Sequence, residues 1–131
     1  MAGTLTDPPR ALLPQTMPGL WPLFGEAAGV LHEGFLRLPR GMTLLSRHNR
    51  DWRFLADDKR LSENHATLRC EEVHHPVHLL AERTKNGTFR NGVEVPAGVP
   101  VELQDGDVLR VGSTLLLFRR EPPQPAAPAL P

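Results

Sequence analysis

Short apolar runs separated by turn-forming clusters fill the middle of this chain. Phe35-Leu36-Arg37-Leu38 is followed by Pro39-Arg40-Gly41 and then Met42-Thr43-Leu44-Leu45. Ala66-Thr67-Leu68-Arg69-Cys70 and Val77-His78-Leu79-Leu80 flank a polar stretch over residues 71–76. A run over residues 99–103 precedes Asp105-Gly106, and Val108-Leu109-Arg110-Val111 leads to Gly112. Thr114-Leu115-Leu116-Leu117-Phe118 closes the series. Each run has the length of a strand. Turn signals recur about every 8 to 12 residues, the spacing of an all-β sandwich or barrel. No useful window carries the 3.6-residue period of an amphipathic helix, and no segment repeats.

Composition divides the chain into a centre and two ends. Of 14 prolines in 131 residues, five lie in the first 22 positions and five in the last ten. Residues 1–18 read as a mobile arm, residues 19–121 as one domain, and residues 122–131 as a Pro/Ala-rich tail or linker. The single Cys70 forms no internal disulfide, so the fold must stand on its core. The most apolar stretch, residues 19–31, is interrupted by Pro22, Gly25 and Glu26 and is too short for a membrane span. A cytoplasmic protein without a targeting segment is expected.

Fifteen basic residues balance fifteen acidic ones, which argues against direct nucleic-acid binding. Thirteen of the basic residues are Arg, which favours forked hydrogen bonding to anions. Arg50, Arg53, Lys59, Arg60 and Arg90 form either a local cationic rim or a solvated face balanced by Asp51, Asp57 and Asp58.

The sharpest local signal is Thr84-Lys85-Asn86-Gly87-Thr88-Phe89-Arg90-Asn91-Gly92, with two Asn-Gly pairs separated by a strand-length spacer. Asn-Gly is the strongest short hairpin signal, because both residues tolerate positive φ. Arg47 ends one apolar run, and Ser62-x-x-His65 opens another. Together with Leu103-x-Asp105-Gly106-Asp107-Val108-Leu109-x-Val111-Gly112, these motifs resemble, in order and spacing, the forkhead-associated (FHA) domain. The resemblance runs from about residue 34, or somewhat earlier, to residue 119.

The resemblance implies a β-sandwich of two sheets and about eleven strands, with binding loops at one end. It implies non-catalytic recognition of phosphothreonine in a partner protein, such as a Ser/Thr kinase or its substrate; no cofactor or metal is expected. Arg47 matches the phosphate-binding Arg, Ser62 the hydroxyl that donates to a phosphate oxygen, and Asn86 the residue that holds the peptide backbone. Lys85 adds a cation near the phosphate, Asn91 matches a residue that mainly braces the loop and can also touch the peptide, and Arg60 matches a position that in some members contacts the third residue after the phosphothreonine. His65, Gly87 and Gly92 match structural supports of the loops.

Three residues depart from the family pattern. Ser46 stands where Gly is usual, Lys85 where Ser or Thr is common, and Glu63 where a basic or polar residue is frequent. They open a second reading, a phosphate-independent interaction or self-association module, such as the N-terminal regulatory part of a bacterial transcriptional activator. Cys70, His74, His75 and His78 fall close together, but their spacing suits a polar hairpin tip better than zinc. Ser62 and His65 lack a carboxylate orienter, and no nucleophile elbow, P-loop or His-Glu-x-x-His motif is present, so an enzyme is not expected.

Overall fold

The computed structural model describes residues 18–25, 29–31, 33–72 and 75–120. The arm expected over residues 1–18 lies outside them save for its last residue, and the tail over residues 122–131 and His74 lie outside them entirely. Among the described residues there are eleven strands: β1 (Gly19–Gly25), β2 (Gly29–Val30), β3 (Leu36–Arg37), β4 (Gly41–Leu45), β5 (Ala66–Cys70) and β6 (Val77–Ala81), then β7 (Thr88–Arg90), β8 (Val93–Glu94), β9 (Val101–Glu102), β10 (Val108–Val111) and β11 (Thr114–Arg119). The one described helical segment is a 3₁₀ turn over Arg53–Asp57.

Strands β2-β1-β11-β10-β7-β8 make one sheet, with β3 also paired to β1, and β4-β5-β6-β9 make the other. Alternating side chains of both sheets meet in a shared core. Leu20, Leu109, Val111, Leu116 and Phe118 come from the larger sheet, and Leu45, Leu68, Val77 and Leu79 from the smaller; all are buried. Each such side chain contributes about 1.5–3 kcal/mol on burial, which suffices for a domain without disulfides. Cys70 is a free, buried core residue of β5.

Two features differ from the sequence pattern. Residues 19–25 form a full strand, although Pro22 interrupts them. β3 pairs with Gly19 and Leu20, whereas β2 pairs with Phe24 and Gly25, so Pro22 falls in the gap where no N–H is needed on that edge. The register against β11 also slips between Pro22 and Phe24. Second, Pro39-Arg40-Gly41 does not close a hairpin: β3 and β4 belong to different sheets, so this turn carries the chain across the sandwich.

Candidate functional site

Register places three connections, β4–β5, β6–β7 and β10–β11, at one end of the sandwich. In the smaller sheet Leu45, Ala66 and Ala81 lie abreast, so both ends of the long β4–β5 connection and the start of the β6–β7 connection leave from the same edge. In the larger sheet Thr88, Val111 and Thr114 lie abreast, which sets the β10–β11 turn beside the start of β7.

Asp58 fastens the loop before β5 to the other sheet. Its carboxylate accepts from Arg60 N at 3.0 Å, Ser113 N at 2.7 Å and the Thr114 hydroxyl at 2.7 Å. Gly112 is required here, because it has φ +60° and an added Cβ would lie 2.8 Å from Asp58 Oδ2. Asp58 is thus a buried anchor rather than a member of a solvated face.

His65 ties two loops together. Fully buried, it accepts from Ser62 N at Nδ1 (3.0 Å), and its Nε2 lies 2.8 Å from the Gly87 carbonyl. Because Nδ1 accepts, the proton sits on Nε2 and is donated to Gly87 O. Burial lowers the His65 pKa, opposed by the Gly87 carbonyl and the Asp58 charge, so the neutral ring is favoured. Gly87 has φ +75°, and its N–H donates to Thr84 Oγ1 at 2.9 Å, which closes the turn over residues 84–87.

Asn86 joins the same two loops through its other face. Its Nδ2 donates to Arg60 O at 2.9 Å. Only the amino end of an amide can donate, so Oδ1 is left to accept from a ligand. The loop after β4 is shaped by Asn49, whose Nδ2 donates to Leu44 O at 2.6 Å and whose Oδ1 accepts from Asp51 N and Trp52 N. His48 Nε2 lies 3.6 Å from Glu63 Oε1, which brings the start of this connection against its end, where Ser62 lies. Ser46 is buried, and its Oγ accepts from His48 N at 3.2 Å, so its side chain braces the loop from inside.

Arg47 is exposed, and no described residue pairs with its guanidinium. It lines a cleft with Arg50 and Arg53. Ser62 is half-buried at the same end; Arg60 and Lys85 are exposed there. Arg90 does not join this rim, because it pairs with Asp107 at 3.0 Å.

The second Asn-Gly pair lies at the far end of β7, about 10 Å away by strand rise. Asn91 (φ 50°) and Gly92 (φ 83°) form the two-residue turn between β7 and β8. Both ends of the Asn91 amide are engaged: Nδ2 donates to Asp107 Oδ1 at 2.9 Å, and Oδ1 accepts from Val108 N at 2.8 Å. Asn91 is a brace, and the geometry gives no support to a peptide contact there. Asp58, Asn49 and Thr84 are site residues that the sequence reading missed. An Asp or Asn two residues before a loop N–H is the signal that points to such turns.

Among the described residues no cluster could hold a metal ion. Cys70 is buried, whereas His78 alternates to the outer face of β6 beside Arg69.

Comparison with known proteins agrees with this geometry. Residues 46–112, just over half of the chain, match the family model described as FHA domain. Over 59 residues the chain is 36% identical to vacuolar protein sorting-associated protein 64 of Saccharomyces cerevisiae, covering 45% of this chain and about a tenth of that protein. An FHA domain solved in work on phosphothreonine-dependent FHA domain interactions superimposes with a TM-score of 0.62 at 25% identity, over 82% of this chain and 100% of that one. Mycobacterium tuberculosis EmbR, solved with a low affinity phosphopeptide, shares the fold with a TM-score of 0.63 at 20% identity, over 85% of this chain and 26% of that one. The motif residues, the two-sheet sandwich and the family match agree: this chain belongs to the forkhead-associated (FHA) domain family.

Proposed function

We propose that this domain binds threonine-phosphorylated segments of partner proteins, without catalysis, as a cytoplasmic adaptor or regulatory module in Ser/Thr kinase signalling. The observation that carries the reading is the Arg47 guanidinium, which no described residue pairs, beside loops locked by His65 and Asn86. A phosphate monoester carries nearly two negative charges and three acceptor oxygens. An Arg fork supplies the charge-assisted bonds, and rigid loops reduce the entropy lost on binding.

In this reading Arg47 grips the phosphate, the Ser62 hydroxyl donates to one of its oxygens, and Asn86 Oδ1 accepts a peptide N–H. Lys85 adds a cation, and Arg60 favours an acidic residue three positions after the phosphothreonine. The phosphothreonine-dependent interactions of one structural neighbour and the phosphopeptide bound to EmbR support the same chemistry.

A second reading, phosphate-independent partner binding, draws on one observation. Glu63, 3.6 Å from His48, sets a carboxylate near the end of the same connection. That charge opposes a phosphate. Fluorescence anisotropy with a labelled phosphothreonine peptide tests the first reading. Arg47→Ala is expected to weaken binding about a hundredfold, the scale of losing one side of a charge-assisted pair. Equal binding by Arg47→Ala and the unaltered protein would favour the second.

A further inference from the structure

β4 is the outer strand of the smaller sheet, and its neighbours fix which way its backbone groups point. The Glu82 N–H donates to His65 O at 2.9 Å, so residues 65 and 82 form a hydrogen-bonded pair at the end of the β5–β6 ladder. Alternation along an antiparallel ladder then turns Thr67 and Arg69 toward β6, and Ala66, Leu68 and Cys70 toward β4. Across the β4–β5 register those three face Leu45, Thr43 and Gly41. Met42 and Leu44 therefore aim their N–H and C=O groups away from the sheet. Asn49 agrees with this assignment, because its side chain reaches the Leu44 carbonyl from outside. The Leu44 N–H and both backbone groups of Met42 have no further described partner.

The same two residues expose their side chains, Met42 by 60% and Leu44 by 45%. Outer strands are usually blunted by charge, proline or a bulge. β4 reads Gly-Met-Thr-Leu-Leu and carries none of these. A cleft lies against it, lined by Pro39, Trp52 and the loop residues His48, Asn49 and Arg50. Those three loop residues also line the cleft around Arg47. The open strand edge and the candidate phosphate site thus share a wall.

We infer that β4 is a strand-addition site for the phosphorylated partner itself. An extended, apolar segment of the partner chain pairs with the Met42 N–H and C=O and the Leu44 N–H, the outward groups that Asn49 leaves open, and packs beside the Met42 and Leu44 side chains. Only an extended backbone offers donors and acceptors at that spacing, which sets the chemistry of the occupant. The shared wall selects the phosphorylated chain, because a segment leaving the phosphate site meets the edge directly. The inference rests on the phosphothreonine reading.

Anisotropy with three peptides tests it on the full chain. One is short, with a central phosphothreonine flanked by alanines. The others extend it by about six residues of alternating valine and threonine, long enough to lie along β4, on the N-terminal or the C-terminal side. One extended peptide is expected to bind about tenfold more tightly than the short one, the scale of two added backbone hydrogen bonds. Met42→Pro removes an outward N–H but no bond to β5, and Leu44→Lys charges the outer face. Both should cancel the gain and leave the short peptide unaffected; the second serves if the first fails to fold. Absence of a gain from either extension, or a gain that survives a folded variant, overturns the inference. So does a dimer of the unaltered protein that Met42→Pro dissolves, because the occupant is then a second copy. If the short phosphopeptide itself does not bind, the phosphothreonine reading fails first and takes the inference with it.

Discussion

Replacing His65 with alanine is expected to destabilise the domain by about 3–4 kcal/mol and to abolish detectable phosphopeptide binding. The ring is fully buried and bonded to Ser62 N and Gly87 O, so truncation strands a donor and an acceptor and opens a cavity. Both orphaned groups lie on loops of the candidate site, so the damage falls on stability and binding together. Urea unfolding measures the first, and anisotropy the second. The same residue sets a pH dependence. Its folded-state pKa lies below the ordinary 6.5, chiefly because of burial. The unfolded chain therefore takes up the proton first as pH falls. The stabilisation from the neutral ring is complete above about pH 6.5 and is lost as pH falls from there through the lower folded-state value. His65→Ala should remove that component of the slope. An unchanged slope in the variant contradicts the assignment.

Asp58→Ala is expected to cost about 3 kcal/mol, because three donors lose one buried carboxylate. Two of those donors, Ser113 N and the Thr114 hydroxyl, belong to the opposite sheet. The substitution therefore frees the loop that carries Arg60 and Ser62 from its anchor, and phosphopeptide affinity should fall with stability. Asp58→Asn keeps an acceptor oxygen and should lie between the two. Thermal unfolding of both variants checks the order. A loss under about 1 kcal/mol in Asp58→Ala contradicts an anchoring role.

The parts of the fold that were legible in the sequence are those where local signals agree. The β5–β6 and β10–β11 pairs are short apolar runs bounded by turn-forming residues, and all four runs form strands. Asn91-Gly92 makes the tight hairpin turn that its residue types demand. β1 was hidden because Pro22 normally breaks a strand, and only the gap between β2 and β3 makes it harmless. The crossing between β3 and β4 was hidden because a Pro-Arg-Gly turn looks the same whether it closes a hairpin or changes sheets.

The candidate site divides in the same way. Arg47, Ser62 and Asn86 stood out because their motifs keep a fixed spacing, and the structure brings their loops together. Asp58 looked like one acid of a charged surface, because partners 55 and 56 residues away leave no local trace. Asn91 was legible chiefly as a brace, and both ends of its amide are engaged within the domain, a strand away from the site.

Isothermal titration calorimetry of the unaltered protein tests the central claim most directly. The titrants are one short peptide with a central phosphothreonine, its unphosphorylated twin and its phosphoserine counterpart. The phosphothreonine peptide should bind, the unphosphorylated twin should give no measurable heat, and phosphoserine should bind much more weakly. Equal binding of the phosphorylated and unphosphorylated threonine peptides would contradict the account.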